Sequence, residues 1–528
     1  MTALKEDTAL AAEAAEASHS RPRRVVRTVA RNSAANAVRI AATSLVSILL
    51  PAYLTHHLST KTYGAWVLIL QLSAYVGYLD FGVQTAVSKY IAEYEAKQDY
   101  AGCERCASVG LVIMLAASIL GVLLTLILAW RVPAIFHTMP QSLYHDVRLS
   151  VLFVGASLSV SLATSVFVAI FLGLQRYQVP MVITIISRLL LGAALCGVVA
   201  SHRSLAAMGA AAACVNIFTA LLQFAAWRQL AQQIRVSLRF IDLMMLKRML
   251  NYCTVLTVWS VCMLFVSGLD ITIVGHYSFS ETAYYAIAAS PTSLILMIIA
   301  ALMAPLLPAA SALSVQRSSI QMGSILLRST RYAAITLLVT GLPLIVAGYP
   351  ILSVWVGSVY AAKSVLFLRV LVIANIVRNV CAPYATMVVA TCRQRVATAS
   401  AITEGIVNLV SSIVLARHIG ALGVALGTLL GAVAGVVMHF GVSMRYTQSS
   451  LAVSRLELFV KGMLRPSALA IPTVLLLWRW WPADRPAMTA YLYCGWIAST
   501  LLLAWFVSMS RGDRTLVVGL VGGKMNLV

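Results

Sequence analysis

The chain is 528 residues long, 60% hydrophobic and only 11% charged. Soluble domains carry about 25% charged residues, so this composition excludes a soluble enzyme or a soluble binding module and calls for a lipid solvent. The formal net charge of +22 comes with no nucleic-acid-binding motif; it reads as basic loops flanking membrane helices rather than a polyanion-binding face.

Residues 1–31 are polar and end in Arg21, Arg23, Arg24, Arg27 and Arg31. They lack the short apolar core and small-residue cleavage site of a signal peptide, and predict a disordered tail whose basic end lies near lipid headgroups. Fourteen apolar stretches follow, each close to the roughly 20 residues that cross a hydrocarbon core about 30 Å thick. They are 32–55, 62–88, 105–131, 148–173, 180–200, 205–227, 249–275, 283–310, 332–357, 364–391, 396–416, 421–445, 462–481 and 489–509. The expected fold class is therefore an all-α polytopic membrane protein. A β-barrel is excluded because the stretches do not alternate apolar with polar, and a spanning segment must satisfy its own backbone groups.

With the N-terminus in the cytoplasm, 27 Lys+Arg fall on the cytoplasmic side, 8 on the opposite side and 4 inside helices. That bias sets the orientation, and an even number of crossings returns the C-terminus to the cytoplasm. The first two helices form a hairpin through Leu58-Ser59-Thr60-Lys61-Thr62-Tyr63-Gly64, and each carries one embedded charge, Arg39 and Asp80. The following loop, Lys89 to Arg105, mixes acids, bases and apolar residues and suits an interfacial helix. Residues 228–248, with Arg228, Arg235, Arg239, Lys247 and Arg248, form the longest internal connection. It divides an N-terminal six-helix lobe (32–227) from a C-terminal one (249–445), leaving an extra two-helix segment (446–509) and a tail (510–528).

The two lobes read as a repeat. The tight loop at Gly173-Leu174-Gln175-Arg176-Tyr177 matches Thr391-Cys392-Arg393-Gln394-Arg395 at an offset of 218, and His57-Leu58-Ser59 matches His276-Tyr277-Ser278 at 219. Six helices preserve orientation, so the repeat is parallel, about an axis along the membrane normal.

One stretch carries more than composition. Asn32 lies near the start of helix 1, followed by Tyr63-Gly64-Ala65-Trp66, then Tyr78-Leu79-Asp80-Phe81-Gly82-Val83 and Lys89-Tyr90-Ile91-Ala92. This resembles the N-terminal signature of polysaccharide-biosynthesis flippases, the O-antigen (Wzx-type) group of the multidrug/oligosaccharidyl-lipid/polysaccharide exporter superfamily. The 173–177 loop and Leu269-Asp270-Ile271-Thr272-Ile273-Val274-Gly275 are similar to that group as well. The resemblance covers roughly residues 30–445. It implies two lobes around a central cavity and movement of a polyprenyl-pyrophosphate-linked oligosaccharide from inner to outer leaflet of the cell inner membrane, for surface or exopolysaccharide assembly. It implies no cofactor; a polysaccharide polymerase or chain-length proteins would be further partners. The extra helix pair is similar to the lipid II flippase arrangement, which keeps a peptidoglycan-precursor flippase open as an alternative.

Seven charges lie within the expected spans: Arg39, Asp80, Arg188, Asp270, Arg369, Arg378 and Glu404. Each costs roughly 2.5–3.5 kcal/mol at the centre of a lipid-facing helix, so they should face one another or water. Arg39, Arg188, Arg369 and Arg378 are the candidates for a cationic cavity, because a planar guanidinium binds phosphate oxygens bidentately and stays charged. Asp80, Asp270 and Glu404 are the candidates for ion coupling or gating, with Arg188 and Glu404 at nearly matching repeat positions as an inner gate. In the alternative reading, Arg39–Asp80 and Asp270–Arg369 are neutralising pairs that fix helix packing. A multidrug–cation antiporter would favour acidic and aromatic groups, whereas here embedded arginines outnumber embedded carboxylates. A membrane enzyme would need a long external loop or paired acids, and the chain offers neither a DxD motif nor such a loop.

The remaining motifs have plainer expectations. Gly423, Gly427, Gly431 and Gly435 lie on one helix face and predict close packing within the chain. Pro291, Pro305, Pro308 and Pro383 predict kinks. Seven of nine histidines flank external loops, and Trp478, Trp480 and Trp481 suit an interfacial belt. The nine cysteines suggest no disulfide framework, and the single Cys103-x-x-Cys106 pair lacks the second pair of a zinc site.

Overall fold

The structure is a computed structural model that describes residues 43–316, 318–391, 394–467 and residue 495. The tails, Arg39, the three tryptophans near 480 and nearly all of the expected helices 13 and 14 lie outside the described residues. Among the described residues there are helices and turns but no strands, and ten segments are long and apolar enough to cross a membrane. The last of these, Thr398–Thr447, contains both expected helices 11 and 12.

The helices are α1 (43–57), α2 (Thr60–Ala74), α3 (Val83–Ala96), α4 (Tyr100–Ile135), α5 (Tyr144–Gly173), α6 (Gln178–Ala200), α7 (Leu205–Leu230) and α8 (Leu243–Met263). After these come α9 (Asp270–Tyr277), α10 (Thr282–Met303), α11 (Leu306–Val315), α12 (Ser319–Val346), α13 (Gly348–Val356), α14 (Ser358–Asn379), α15 (Ala382–Ala390), α16 (Gln394–Met438), α17 (Met444–Leu451) and the short α18 (Arg455–Glu457). Two compact units result. The first takes the described residues up to Leu50, Leu79–Leu126 and Leu152–Leu256; the second takes Pro51–Tyr78, Ile127–Val151 and the described residues from Thr257 onward.

The first unit is built on a stripe that repeats every three to four residues. Val83, Val87 and Ile91 of α3 pack with Cys103, Cys106 and Met114 of α4 and with Val166, Ile170 and Phe171 of α5. The free thiols of Cys103 and Cys106 are buried, each about van der Waals distance from an α3 carbonyl, Ile91 and Val87. The expected interfacial helix at 89–105 is not formed. That stretch is the end of α3, a turn at residues 97–99 and the start of α4, because Gln98 takes a positive φ that reverses the chain. Side-chain hydrogen bonds tie α5, α6 and α7 together: Thr164 donates to Gln223 (2.7 Å), Asn216 to Ser157 (2.9 Å), and Ser187 pairs with Thr219 (2.7 Å). In a bilayer such bonds contribute on average about 0.6 kcal/mol each.

The second unit departs from the sequence reading at its breaks. Pro305 starts α11 and Pro383 lies in the first turn of α15, so the expected helices 283–310 and 364–391 are each two helices. Proline lacks the N–H that would continue a helix and fits its first turn. Pro291 stays inside α10. Helix α16 folds back on itself at Ile419–Gly420, where Gly420 has φ +58°. The glycine stripe closes that hairpin. A Cβ on Gly427 would fall 2.2 Å from the Ser412 hydroxyl, one on Gly423 2.4 Å from the Leu415 backbone, and one on Gly435 2.8 Å from Glu404. The close packing expected of the four glycines is therefore present, within one helical hairpin.

Candidate functional site

The second unit gathers three of the seven embedded charges around a helix break. Between α8 and α9 the backbone widens into a π-turn, Leu264–Gly268. Such a turn frees carbonyls that lipid cannot satisfy, so the surrounding protein must. Asn408 of α16 donates to the carbonyls of Phe265 (3.1 Å) and Val266 (2.6 Å), and Gln71 of α2 donates to Gly268 (2.6 Å). Ser412 in turn donates to the Asn408 side-chain oxygen (3.0 Å). Tyr75 and Thr272 share a hydroxyl–hydroxyl contact one turn further along.

Asp270 opens α9, where the helix N-terminus favours a negative charge. It is 8% exposed and accepts hydrogen bonds from Tyr285 (3.3 Å) and Thr428 (3.2 Å). The Arg378 guanidinium, at the end of α14, acts on it electrostatically. Arg378 forms its ion pair with Glu404 of α16, Nε to Oε1, and the two side chains are only 16% and 14% exposed. Two carboxylates thus share one cation. Nη2 of Arg378 is buried without a hydrogen-bond partner among the described residues. A buried donor left unpaired costs about 1–3 kcal/mol.

The other candidates separate from this cluster. Arg369 donates from Nε to the Ile345 carbonyl (2.8 Å) in the last turn of α12. It completes a helix end there, and Asp270 has Tyr285, Thr428 and Arg378 instead, so the expected Asp270–Arg369 neutralising pair gives way. Glu404 is likewise paired with Arg378 of its own unit. In the first unit, Arg188 is exposed on α6, with contacts of its own. Asp80 ends a 3-10 turn, Tyr75–Asp80, and Phe81 and Gly82 follow with φ of +48° and +77°. The single helix expected over 62–88 is therefore broken. Gly82 has no side chain to cap α3, and the Asp80 carboxylate accepts the Gln84 N–H (3.2 Å) in its place. Its expected partner Arg39 lies outside the described residues.

Four polar residues of the cluster were not singled out from sequence: Gln71, Tyr285, Asn408 and Thr428. Two had a legible signal. Asn408 follows Glu404 by one turn, and Thr428 adjoins a stripe glycine, Gly427, so both share faces already marked as packed.

A family model described as polysaccharide biosynthesis protein matches residues 29–314, more than half of the chain. The chain belongs to this polysaccharide biosynthesis protein family. Among curated proteins no match was found. Solved structures share the fold of this family member. The lipid II flippase MurJ in an inward closed conformation is 12% identical with a TM-score of 0.70, covering 91% of this chain and 99% of that one. An inward-facing multidrug resistance MATE family transporter of the MOP superfamily is 14% identical with a TM-score of 0.64, over 79% of this chain and 99% of that one. A MOP superfamily transporter from Pyrococcus furiosus, described as having a binding pocket of reverse polarity, is 16% identical with a TM-score of 0.58, over 81% of this chain and 96% of that one. At these identities the likeness concerns the fold. It agrees with the expected all-α polytopic membrane architecture.

Proposed function

We propose that this family member is a flippase, moving a polyprenyl-pyrophosphate-linked oligosaccharide across the bacterial inner membrane by alternating access for surface or exopolysaccharide assembly. The observation that carries the reading is Arg378. A membrane-embedded guanidinium whose buried Nη2 has no hydrogen-bond partner among the described residues is a donor for an anionic oxygen, and a pyrophosphate supplies several. Charge-assisted guanidinium–phosphate bonds are roughly twice as strong as neutral ones.

Arg39, Arg188, Arg369 and Arg378 are the proposed phosphate-binding arginines of this path. Arg369 keeps Nε on the Ile345 carbonyl and offers its terminal nitrogens. Asp270 and Glu404 are the proposed coupling or gating pair. With one cation for two carboxylates, the cluster carries a surplus negative charge, which one bound proton or monovalent cation would neutralise; a substrate phosphate would compete with Glu404 for Arg378. Asp80 we assign to the start of α3 rather than to coupling.

Deletion of the gene should abolish the surface polysaccharide and accumulate its lipid-linked precursor in the cytoplasmic leaflet. Arg378→Ala and Arg188→Ala should restore neither, although Arg188→Ala protein still reaches the membrane folded. Normal polysaccharide export by both variants would overturn the cationic path. A second reading, a lipid II flippase, draws support from the greater share of this chain covered by the MurJ structure (91%) than by the MATE structure (79%). Under that reading depletion lyses cells through cell-wall failure, with the surface polysaccharide intact.

A further inference from the structure

The connection between α7 and α8 has a first half strapped to the core and a second half that turns several large apolar side chains outward. Residues 231–237 are strapped to the first unit. Ala231 and Ile234 are fully buried, the Ile234 carbonyl accepts from the Trp227 indole (3.0 Å), and the backbone N–H groups of Arg235 and Ser237 donate to Glu104 (3.3 Å) and Ser108 (3.1 Å). Past Ser237 several apolar side chains turn outward: Phe240 is 37% exposed, Leu243 77% and Met244 81%, while Met245 returns to the core. The side chains of Arg239 and Lys247, and of Arg235 just before, are exposed beside them.

Two facts locate this patch. The helices on either side, Leu205–Leu230 and Leu243–Gly268, are both long and apolar enough to cross a membrane, so the connection lies at one membrane face. Lys247 stands four residues after Leu243, about 6 Å further along the helix axis at 1.5 Å per residue. Lys and Arg near a helix end reach the headgroups by snorkelling, which places this end of α8, with Leu243 and Met244, at the membrane surface. The acid of the segment, Asp242, is spent on starting α8: its carboxylate accepts the Met244 N–H (2.9 Å) and its carbonyl the Leu246 N–H (2.9 Å). What remains outward is apolar and cationic together.

We propose that residues 238–246 form a membrane-surface anchor, with Phe240, Leu243 and Met244 inserted at the headgroup–acyl boundary and Arg235, Arg239 and Lys247 held by anionic phospholipid headgroups. The charge complementarity selects a lipid surface over a protein partner: interleaved apolar and basic side chains are the composition that binds anionic interfaces. The proposal is independent of the transported substrate. The strap of residues 231–237 fixes the anchor to the packed core of the first unit, so lipid binding here holds that unit at a set depth.

The test is amide hydrogen exchange of the full-length protein in nanodiscs of phosphatidylcholine with and without phosphatidylglycerol. Exchange of 238–246 slows in the anionic discs, and an Arg235→Gln/Arg239→Gln variant loses about fivefold of that protection per arginine, the equivalent of about 1 kcal/mol each near a charged surface. Both side chains are exposed and the Arg235 bond to Glu104 uses its backbone, so the variant keeps the fold; unchanged exchange in α3 and α5 verifies this. A Leu243→Ser/Met244→Ser variant loses protection in both disc types. Equal, fast exchange of 238–246 in both discs overturns the anchor. So does protection that follows protein concentration rather than lipid charge, which would assign the patch to a second copy of the chain.

Discussion

In the second unit three of the embedded charges gather in one buried layer, and two of them form an ion pair. Asp270, Arg378 and Glu404 share a cluster closed by Tyr285, Thr428 and Asn408, and Arg369 takes a backbone carbonyl. In the first unit the corresponding residues serve locally or face outward. Asp80 caps a helix that restarts after two positive-φ residues, and Arg188 is exposed on α6. Both units carry embedded arginines and carboxylates in sequence. What the second unit adds is a layer in which such charges gather, because the glycine stripe of α16 lets its two arms approach to backbone contact and brings Glu404, Asn408 and Thr428 together.

The largest effect expected from this contrast is at the buried ion pair. Arg378→Ala leaves Glu404 charged, mostly buried and alone, which costs about 3–5 kcal/mol. An Arg378→Leu/Glu404→Leu double variant removes both charges and recovers most of that loss, since an apolar pair of similar volume packs without a desolvation penalty. Thermal unfolding of the purified protein in detergent measures both. A single variant as stable as wild type would mean that water reaches Glu404, and the contrast between the units would fail.

The glycine hairpin comes next. Gly427→Ala puts a methyl group onto the Ser412 backbone and hydroxyl, and overpacking of this kind costs about 1–3 kcal/mol. Gly197 in α6 has nothing within 4 Å of an added Cβ, so Gly197→Ala should leave the unfolding temperature unchanged or slightly raised. Equal losses at the two sites would show that close approach is not what holds the α16 hairpin.

These residues also mark how far the sequence could be read. Long apolar runs predict the helices because lipid admits little else, and four glycines at one-turn spacing predict a tight contact from residue size alone. The partners across that contact were another matter. Pairing the charges from sequence assumes unbroken helices of constant rise, and the chain breaks at Phe81–Gly82, at the 264–268 π-turn, at Ala304–Pro305 and at Ile419–Gly420. Each break redirects the residues beyond it. Arg369 therefore reaches the end of α12 instead of Asp270, and Arg378 finds Glu404. Only the proline break was visible as a residue type; the π-turn depends on Asn408 and Gln71, which are remote in sequence and satisfy its carbonyls.

The smallest effect is the one that separates a local from a coupling role. If Asp80 only caps α3, the requirement is an oxygen that accepts the Gln84 N–H, and a charge is dispensable. Asp80→Asn keeps such an oxygen and should retain stability to within a few tenths of a kcal/mol, whereas Asp80→Ala loses the cap at a cost of about 1 kcal/mol. Polysaccharide export should follow the same order, near normal in Asp80→Asn and reduced in Asp80→Ala only as far as folded protein is reduced. A carboxylate that exchanges an ion during transport behaves in the opposite way: the asparagine, isosteric but neutral, would abolish export while leaving the melting temperature intact. Export lost in Asp80→Asn at unchanged stability would move Asp80 into the coupling set and bring the first unit's charges level with those of the second.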